Sequence, residues 1–188
     1  QHYFSDFSTL DSGIIMGDEF SSVNNAAFIR SQISTAGNDF EFILVHLQTA
    51  KLIGFGLQRS IGGFGSWFET AYMHAEDEQY WRTSVGLDYA FSDEVFAMIE
   101  YHYNGAGTTD PSDYLNLSSN SAFKRHGVQM MGKNYFLPSV NWTASALVTV
   151  SSSVFYNLSD SSFLLNLAAN TNWSDNGYSQ FGLYRGFG

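Results

Sequence analysis

The stretch YWRTSVGLDYAFSDEVFAMIEYHYN, residues Tyr80 to Asn104, decides the fold. From Trp81 to Phe91 the odd-numbered positions hold Trp, Thr, Val, Leu, Tyr and Phe, and the even-numbered positions between them hold Arg, Ser, Gly, Asp and Ala. After a Ser-Asp-Glu turn at residues 92–94 the alternation resumes, with apolar odd positions from Val95 to Tyr103 opposite Glu100 and His102. Successive side chains of a strand point to opposite faces. The stretch therefore predicts a β-hairpin with one apolar and one polar face.

Two environments produce such a hairpin. In a soluble β-sandwich one face packs on the core and the other meets water. In a transmembrane barrel the apolar face meets lipid and the polar face lines a wet lumen. Each strand here runs for about 10 or 11 residues, whereas a soluble strand has about 5–6 and a tilted membrane strand needs about 9–11. Aromatic residues at the strand ends match the interfacial girdles of a barrel. These features favour the membrane barrel, and the soluble sandwich is the alternative.

Composition limits the function classes. The chain of 188 residues has room for one domain, and its formal net charge of −10 argues against a nucleic-acid partner, which would need clustered Lys and Arg. Charged residues make up 14% of the chain, against about a quarter of an average soluble domain, and a surface facing lipid needs few charges. The chain has no cysteine, which excludes disulfides and cysteine-based metal sites and favours a bacterial envelope protein. No apolar run reaches the roughly 18 residues that indicate a transmembrane helix.

The alternation continues along the chain and predicts an all-β, antiparallel up-and-down transmembrane β-barrel with about ten strands in residues 26–188. Outside the hairpin, strands are predicted at residues 26–34, 39–49, 51–60, 64–74, 132–141, 147–157, 162–173 and 178–188. Residues 1–25 show no sustained period and are predicted to be an irregular segment that lies outside the barrel or packs into its lumen. Residues 105–131 are predicted to be a long external loop, since loops of this length are usually functional or mobile. Strand parity then places the five short turns near residues 35–38, 60–63, 92–94, 143–146 and 174–177 on the periplasmic side.

The polar faces of these strands predict a set of pore-lining residues. The set is Arg30, Gln32, Glu41, Gln58, Glu69, Arg82, Asp88, Glu100, His102 and Asn166. Charges that face a wet lumen set the selectivity of a pore, and acids exceed bases here, so a pore would favour cations weakly. The alternative is that these residues pair across a narrow, plugged barrel that conducts nothing.

No pattern of catalytic or metal-binding residues emerges from the sequence. His46, His74, His102 and His126 form no HxH or HExxH motif. Barrel-embedded hydrolases use a Ser and a His on a strand, but the sequence shows no Ser at a position that matches His102, so we predict no enzyme activity. Asp110 and other oxygen-bearing residues of the long loop lack the EF-hand spacing. We expect no metal and no cofactor.

The segments SVGLDYAF and SDEVFAMIEYHYNGAG, residues 84–107, and the closing hairpin with its Asn-Gly turn resemble the C-terminal part of bacterial outer-membrane porin-like barrels. The resemblance implies a location in the bacterial outer membrane, with outer-membrane lipid as the surrounding partner. Such barrels usually end on an aromatic residue in the periplasm, whereas this sequence ends at Phe187-Gly188 on a strand that parity sends outward. We therefore expect a longer natural chain, with further strands before Ala26 and after Gly188, and no pairing between the strands of Ile29 and Phe181.

Three functions stay open at this point. The first is a porin-like passive channel for small solutes with a mildly acidic lumen. The second is a structural or scaffolding barrel that sheathes or docks a partner envelope protein, and either barrel could form a homo-oligomer. The third is a soluble secreted β-sandwich that binds glycans through exposed aromatic residues.

Overall fold

A computed structural model describes residues 2–5, 8–16, 25–47, 49–75, 77–174 and 176–188. It contains one sheet of twelve strands, each hydrogen-bonded to the next along the chain. The strands are β1 (His2–Ser5), β2 (Ser8–Ile15), β3 (Ala26–Thr35), β4 (Asn38–Leu47), β5 (Ala50–Ile61), β6 (Phe64–Ala75), β7 (Gln79–Ala90), β8 (Val95–Asn104), β9 (Asn134–Ser145), β10 (Val148–Asn157), β11 (Phe163–Ser174) and β12 (Gly177–Phe187). Strands β3 to β12 confirm the predicted all-β, antiparallel up-and-down arrangement of about ten strands.

Short turns fix the register of the hairpins. Between β3 and β4, Ala36 and Gly37 both have positive φ, 50° and 73°, as in a type I′ turn, whose twist matches that of the flanking strands. Between β7 and β8, the Ser92 hydroxyl accepts hydrogen bonds from the backbone N–H groups of Glu94 and Val95, both at 3.2 Å. These contacts hold the turn of the hairpin that the sequence predicted.

The N-terminal segment differs from the prediction. Ser8–Ile15 is not irregular but forms β2, which pairs with β3 from Ser8↔Ile33 to Ile15↔Ala26. Backbone N–H and C=O groups in a sheet need hydrogen-bond partners whatever their side chains are. β2 supplies these partners to the edge of β3 that faces away from β4. Over these residues the segment is part of the wall and does not fill a lumen. His2–Ser5 also forms a strand, β1, which pairs with β2. Most of the rest of the predicted segment lies outside the described residues.

The sheet does not close on itself. Within the described residues β3 pairs with β2 and β4, and β12 pairs with β11 alone. The prediction that the strands of Ile29 and Phe181 do not pair is therefore confirmed.

The connections at the two ends of the strands differ in length. The end that carries the turns at residues 36–37, 62–63, 91–94 and 146–147 is called here the short-turn rim, and the end that carries residues 105–133 and 158–162 is called the long-loop rim. Four of the five short turns predicted on one side are found there, and the fifth, near residues 174–177, contains a residue outside the described ranges. Which side of a membrane each rim faces stays a prediction.

Residues 105–133, the long loop, fold back onto the sheet. The loop contains a 3-10 turn at Pro111–Asp113 and two single-turn helices, α1 (Tyr114–Leu117) and α2 (Ser121–Lys124). Ala122 has no exposed surface, and Val128 is also buried; both pack with Ala50, Met73 and Tyr80 in the main apolar cluster of the described chain. None of the helices in the described ranges is long and apolar enough to span a bilayer. The core therefore sits between the long loop and one face of β5–β7.

Candidate pore-lining face

The ten predicted pore-lining residues lie on one face of the sheet. Residues directly opposite each other in antiparallel strands share a face. One row of opposite partners runs Gln32, Glu41, Gly56, Glu69, Ser84 and His102 from β3 to β8. Three further rows on the same face each hold two of the predicted residues. These are Arg30 with Arg82, Gln58 with Glu100, and Asp88 with Asn166. Met73 and Tyr80, against which the long loop packs, belong to this face too, which is called here the inner face.

The opposite, outer face is apolar and exposed. Mid-strand side chains such as Leu44, Ile53 and Ile99 are 50%, 58% and 46% exposed. Aromatic side chains gather near the two rims: Phe64 stacks on Tyr89 at the short-turn rim with ring centroids 4.5 Å apart. At the long-loop rim Tyr72 and Trp81 lie 4.9 Å apart, and Phe163 and Phe187 lie 4.5 Å apart. An apolar band between aromatic girdles is the arrangement expected of a barrel wall in lipid.

The inner face of β3 and β4 carries an ion pair. Arg30 Nη2 donates to Glu41 Oε2 at 2.5 Å, and Gln32 Nε2 donates to the same oxygen at 3.3 Å. This is the only ion pair among the described residues. The pair leaves the other polar side chains of the face to interact with one another or with water.

A glycine allows a tryptophan to reach across β7. Trp67, Gly86 and Glu100 are consecutive partners in one row, and Trp67 Nε1 donates to Glu100 Oε2 at 3.1 Å. A Cβ at Gly86 would overlap the indole ring, so the missing side chain makes room for it. Gly65 does the same for Asp88, whose carboxylate lies where a Cβ would stand.

Ser84 lies directly opposite His102, and its Oγ is 2.8 Å from His102 Nδ1. The expectation that no serine matches His102 is therefore wrong. Folding the hairpin symmetrically about Asp93 would have identified the pair from the sequence. No described side chain bonds the other ring nitrogen, Nε2, so the pair lacks the third group that orients a catalytic histidine.

The long loop is fastened to the connection between β6 and β7. Ser121 Oγ lies 2.6 Å from Asp77 Oδ1 and 2.7 Å from Glu78 Oε1, and the backbone N–H of Ala122 donates to the same Glu78 oxygen. The hydrogen bond from Ser121 holds the pKa of the Asp77 carboxyl below its usual value. These contacts fix α2 where the long-loop rim meets the inner face.

Two asparagines fasten the other end of the loop. Asn104 is fully buried, and its Nδ2 donates to the carbonyl oxygens of Met130 at 2.6 Å and of Gly132 at 3.2 Å. Asn157 donates to the hydroxyl of Tyr114 in α1 at 2.9 Å. The loop is therefore held by the β6–β7 connection on one side and by β8 and β10 on the other.

The inner face leaves open space where the loop does not cover it. A cavity of about 570 Å³ lies over β3–β6 and is lined by Gln32, Glu41, Gly54, Gly56, Gln58 and Glu69, among others. A smaller cavity of about 240 Å³ lies next to the loop, among Tyr80, Arg82, His102 and His126. No cluster of His, Asp or Glu in the described part of the chain is arranged to hold a metal ion.

Nine of the ten predicted residues fall into three groups, and the tenth, Asp88, lies over Gly65. Arg30, Gln32 and Glu41 form a bonded cluster, and Gln58 and Glu69 border the larger cavity beside it. Arg82 and His102 line the smaller cavity, and Glu100 is bonded to Trp67. Asn166 is remote from these on β11, 3.5 Å from Ser153. The sequence reasoning missed Tyr80, Ser84 and His126 as polar neighbours of Arg82.

Comparison with known proteins identifies the fold. No protein-family model and no curated protein matches the chain. Among solved structures, two mutants of the Rh. blastica porin superpose on 87% and 86% of this chain, with TM-scores of 0.60 and 0.58 and sequence identities of 14% and 15%. The chain spans about half of these porins, 51% and 50% of their lengths. The two superpositions show that the wall has a porin-like β-barrel fold.

Proposed function

We propose that the protein is a β-barrel channel of the bacterial outer membrane through which small solutes diffuse passively. The observation that carries the proposal is the division of one sheet into an exposed apolar outer face and a polar inner face with open space above it. The porin-like fold supports it, because in that fold the two faces meet lipid and a lumen.

The outer face explains the proposed location. Ile29, Phe42, Trp81 and Phe181 are between 47% and 66% exposed on a wall that is predominantly apolar. A soluble protein rarely exposes such a large apolar patch without a partner to cover it. Lipid is the partner proposed, and the rim aromatics would lie at its interfaces.

The inner face explains the proposed selectivity. Among the ten predicted residues the charged side chains are four carboxylates, those of Glu41, Glu69, Asp88 and Glu100, against two guanidinium groups, those of Arg30 and Arg82. Asp11, opposite Arg30, and Asp39, opposite Gln58, add two more carboxylates to the same face. An excess of carboxylates along a wet lumen attracts cations. Arg30 pairs with Glu41 directly, which lowers the excess of negative charge, so we propose a mild preference for cations.

The long loop supports a lumen that is narrowed but open. Its helix α2 and Val128 cover the inner face around Met73 and Tyr80. Over β3–β6 the cavity of about 570 Å³ has the size of a small-solute site. The loop would therefore set the width of the path without plugging it.

Planar bilayers test the channel. Purified, folded protein should give discrete current steps, and a salt gradient should give a reversal potential that indicates a weak cation preference. Glu69→Gln with Glu100→Gln should weaken that preference, whereas Asp93→Asn in the turn at the short-turn rim should keep it. Repeated silence from folded protein would rule out the channel. A stoichiometric partner bound to a silent barrel would instead favour a scaffold, and a monomer stable without detergent would favour the soluble sandwich.

A further inference from the structure

The cavity of about 240 Å³ beside the long loop collects polar groups that have no partner. Its walls include Tyr80, Arg82 and His102 from the sheet and His126 from the loop. Within the described residues Tyr80 Oη, Arg82 Nε, His102 Nε2 and both ring nitrogens of His126 are shielded from solvent and make no hydrogen bond. Buried polar groups in folded proteins are nearly always bonded, so this concentration of unbonded groups in one cavity calls for a ligand.

The chemistry of these groups selects the kind of ligand. Arg82 is half-buried and forms no ion pair with a described residue, although the chain has 18 acidic residues and only 8 basic ones. A guanidinium group presents a planar fork of N–H donors that matches an oxyanion, and a carboxylate best. The Tyr80 hydroxyl adds a donor. When Ser84 donates to His102 Nδ1, the neutral imidazole carries its proton on Nε2 and adds another.

We propose that this cavity, the loop pocket, binds one carboxylate group. The group belongs either to a solute that passes through the lumen or to a small free carboxylate ion. The Arg82 guanidinium holds its charge, and Tyr80 and His102 donate to its oxygens from the sheet. The volume accommodates one carboxylate-bearing group and excludes a large ligand. The pocket would be a local anion site in a lumen that is acidic as a whole, and its binding does not depend on whether the protein conducts.

Glu69 sets the strength of the site. It borders the same cavity, and on β6 it lies opposite Ser84, one row from Arg82. Its carboxylate repels an anion and is not bonded to Arg82 within the described chain. Neutralising Glu69 should therefore tighten binding, which distinguishes an oxyanion site from a site for a cation or a neutral molecule.

His126 links the site to the loop. It is the one residue of the long loop among those that line the cavity, and it stands two residues before the buried Val128. The pocket is complete only while the loop is docked. A bound oxyanion should therefore stabilise docking, since a ligand stabilises the state that binds it.

The test compares acetate with acetamide, which has the same shape and no charge. Amide hydrogen exchange of residues 121–128 is measured on the whole protein in detergent at constant ionic strength. At ten times its dissociation constant, acetate should slow that exchange by about tenfold, and acetamide should leave it unchanged. Equal protection by both compounds, or by neither up to molar concentration, would overturn the proposal.

Variants assign the effect to the pocket. Arg82→Gln should abolish protection by acetate, and Glu69→Gln should lower the acetate concentration needed at least severalfold. Arg59→Gln, which removes an exposed arginine outside the pocket, should respond as the unmodified protein does. If Arg82→Gln does not fold, the acetate and acetamide comparison on the unmodified protein still decides. Protection that persists in a folded Arg82→Gln variant, or is lost in Glu69→Gln, would contradict the site.

Discussion

Glu78→Ala should release the long loop from the inner face. The Glu78 carboxylate accepts from the backbone N–H of Ala122, a residue with no exposed surface. It is also within reach of the Ser121 hydroxyl, but that hydroxyl has one proton and can donate it to Asp77 instead. The net loss is therefore one hydrogen bond to a charged acceptor, worth about 1.5–3 kcal/mol.

This loss predicts the size of the effect. A change of about 1.4 kcal/mol is a factor of ten in an equilibrium constant. The population of the undocked loop should rise by roughly 10- to 100-fold, and the exchange of amides within and just after α2 should speed up by the same factor. The amide of Val128, which bonds to the Ala122 carbonyl at 3.1 Å, is a suitable reporter.

Hydrogen exchange with residue resolution measures the effect, and amides in the centre of β10 serve as an internal reference. Glu78→Gln keeps an acceptor without the charge and should give an intermediate rate. Asp93→Ala removes one negative charge at the opposite rim and should leave the loop amides unchanged. If the loop amides of Glu78→Ala exchange as in the unmodified protein while the variant is folded, the contacts of Glu78 do not hold the loop and the reasoning is wrong.

Three further predictions concern pH, packing and the two faces. The Ser121 hydroxyl lowers the pKa of the Asp77 carboxyl, so this contact should contribute fully above about pH 4 and be lost as pH falls through the lower pKa of the docked state. Loop exchange rates, corrected for the intrinsic pH dependence of exchange, check this, and Asp77→Asn should reduce the dependence on pH. Gly86→Val should displace the overlying indole and destabilise the fold by about 1–3 kcal/mol, whereas Gly186→Val, on the same face with open space around it, should cost little in chemical denaturation. Ile99→Arg on the outer face should destabilise the protein in lipid by about 2–4 kcal/mol, and Ser139→Arg on the inner face of the next strand should not. Refolding into lipid vesicles measures both variants, and an equal loss of stability would contradict the assignment of the two faces.

Features set by local pattern could be predicted from the sequence. The alternation of Leu87, Asp88 and Tyr89 decides which side chains share a face, because a strand has a period of two. The same rule placed Asn166 on the face of Arg82, although their strands are far apart in the sheet. The short-turn rim was also predictable, since its turns interrupt the alternation.

Features that depend on long-range pairing could not be predicted. Ser8–Ile15 forms a strand because the edge of β3 needs a partner, although its own residues carry a weak pattern. The docking of Ala122 depends on contacts with residues more than forty positions away in the chain, such as Glu78. The pairing of Ser84 with His102 lies between these two cases. It joins two strands, but the assumption of a symmetrical turn about Asp93 would have predicted it from the sequence.

The central claim is that the outer face of this wall meets lipid and the inner face meets water. The chain has no cysteine, so single cysteines can be placed one at a time along β8 without a background. In protein refolded into lipid vesicles, a water-soluble, membrane-impermeant thiol reagent should label the even positions Phe96, Met98 and Glu100 and spare the odd positions Ala97 and Ile99. Equal labelling of both sets, or labelling of the odd positions alone, would contradict the account.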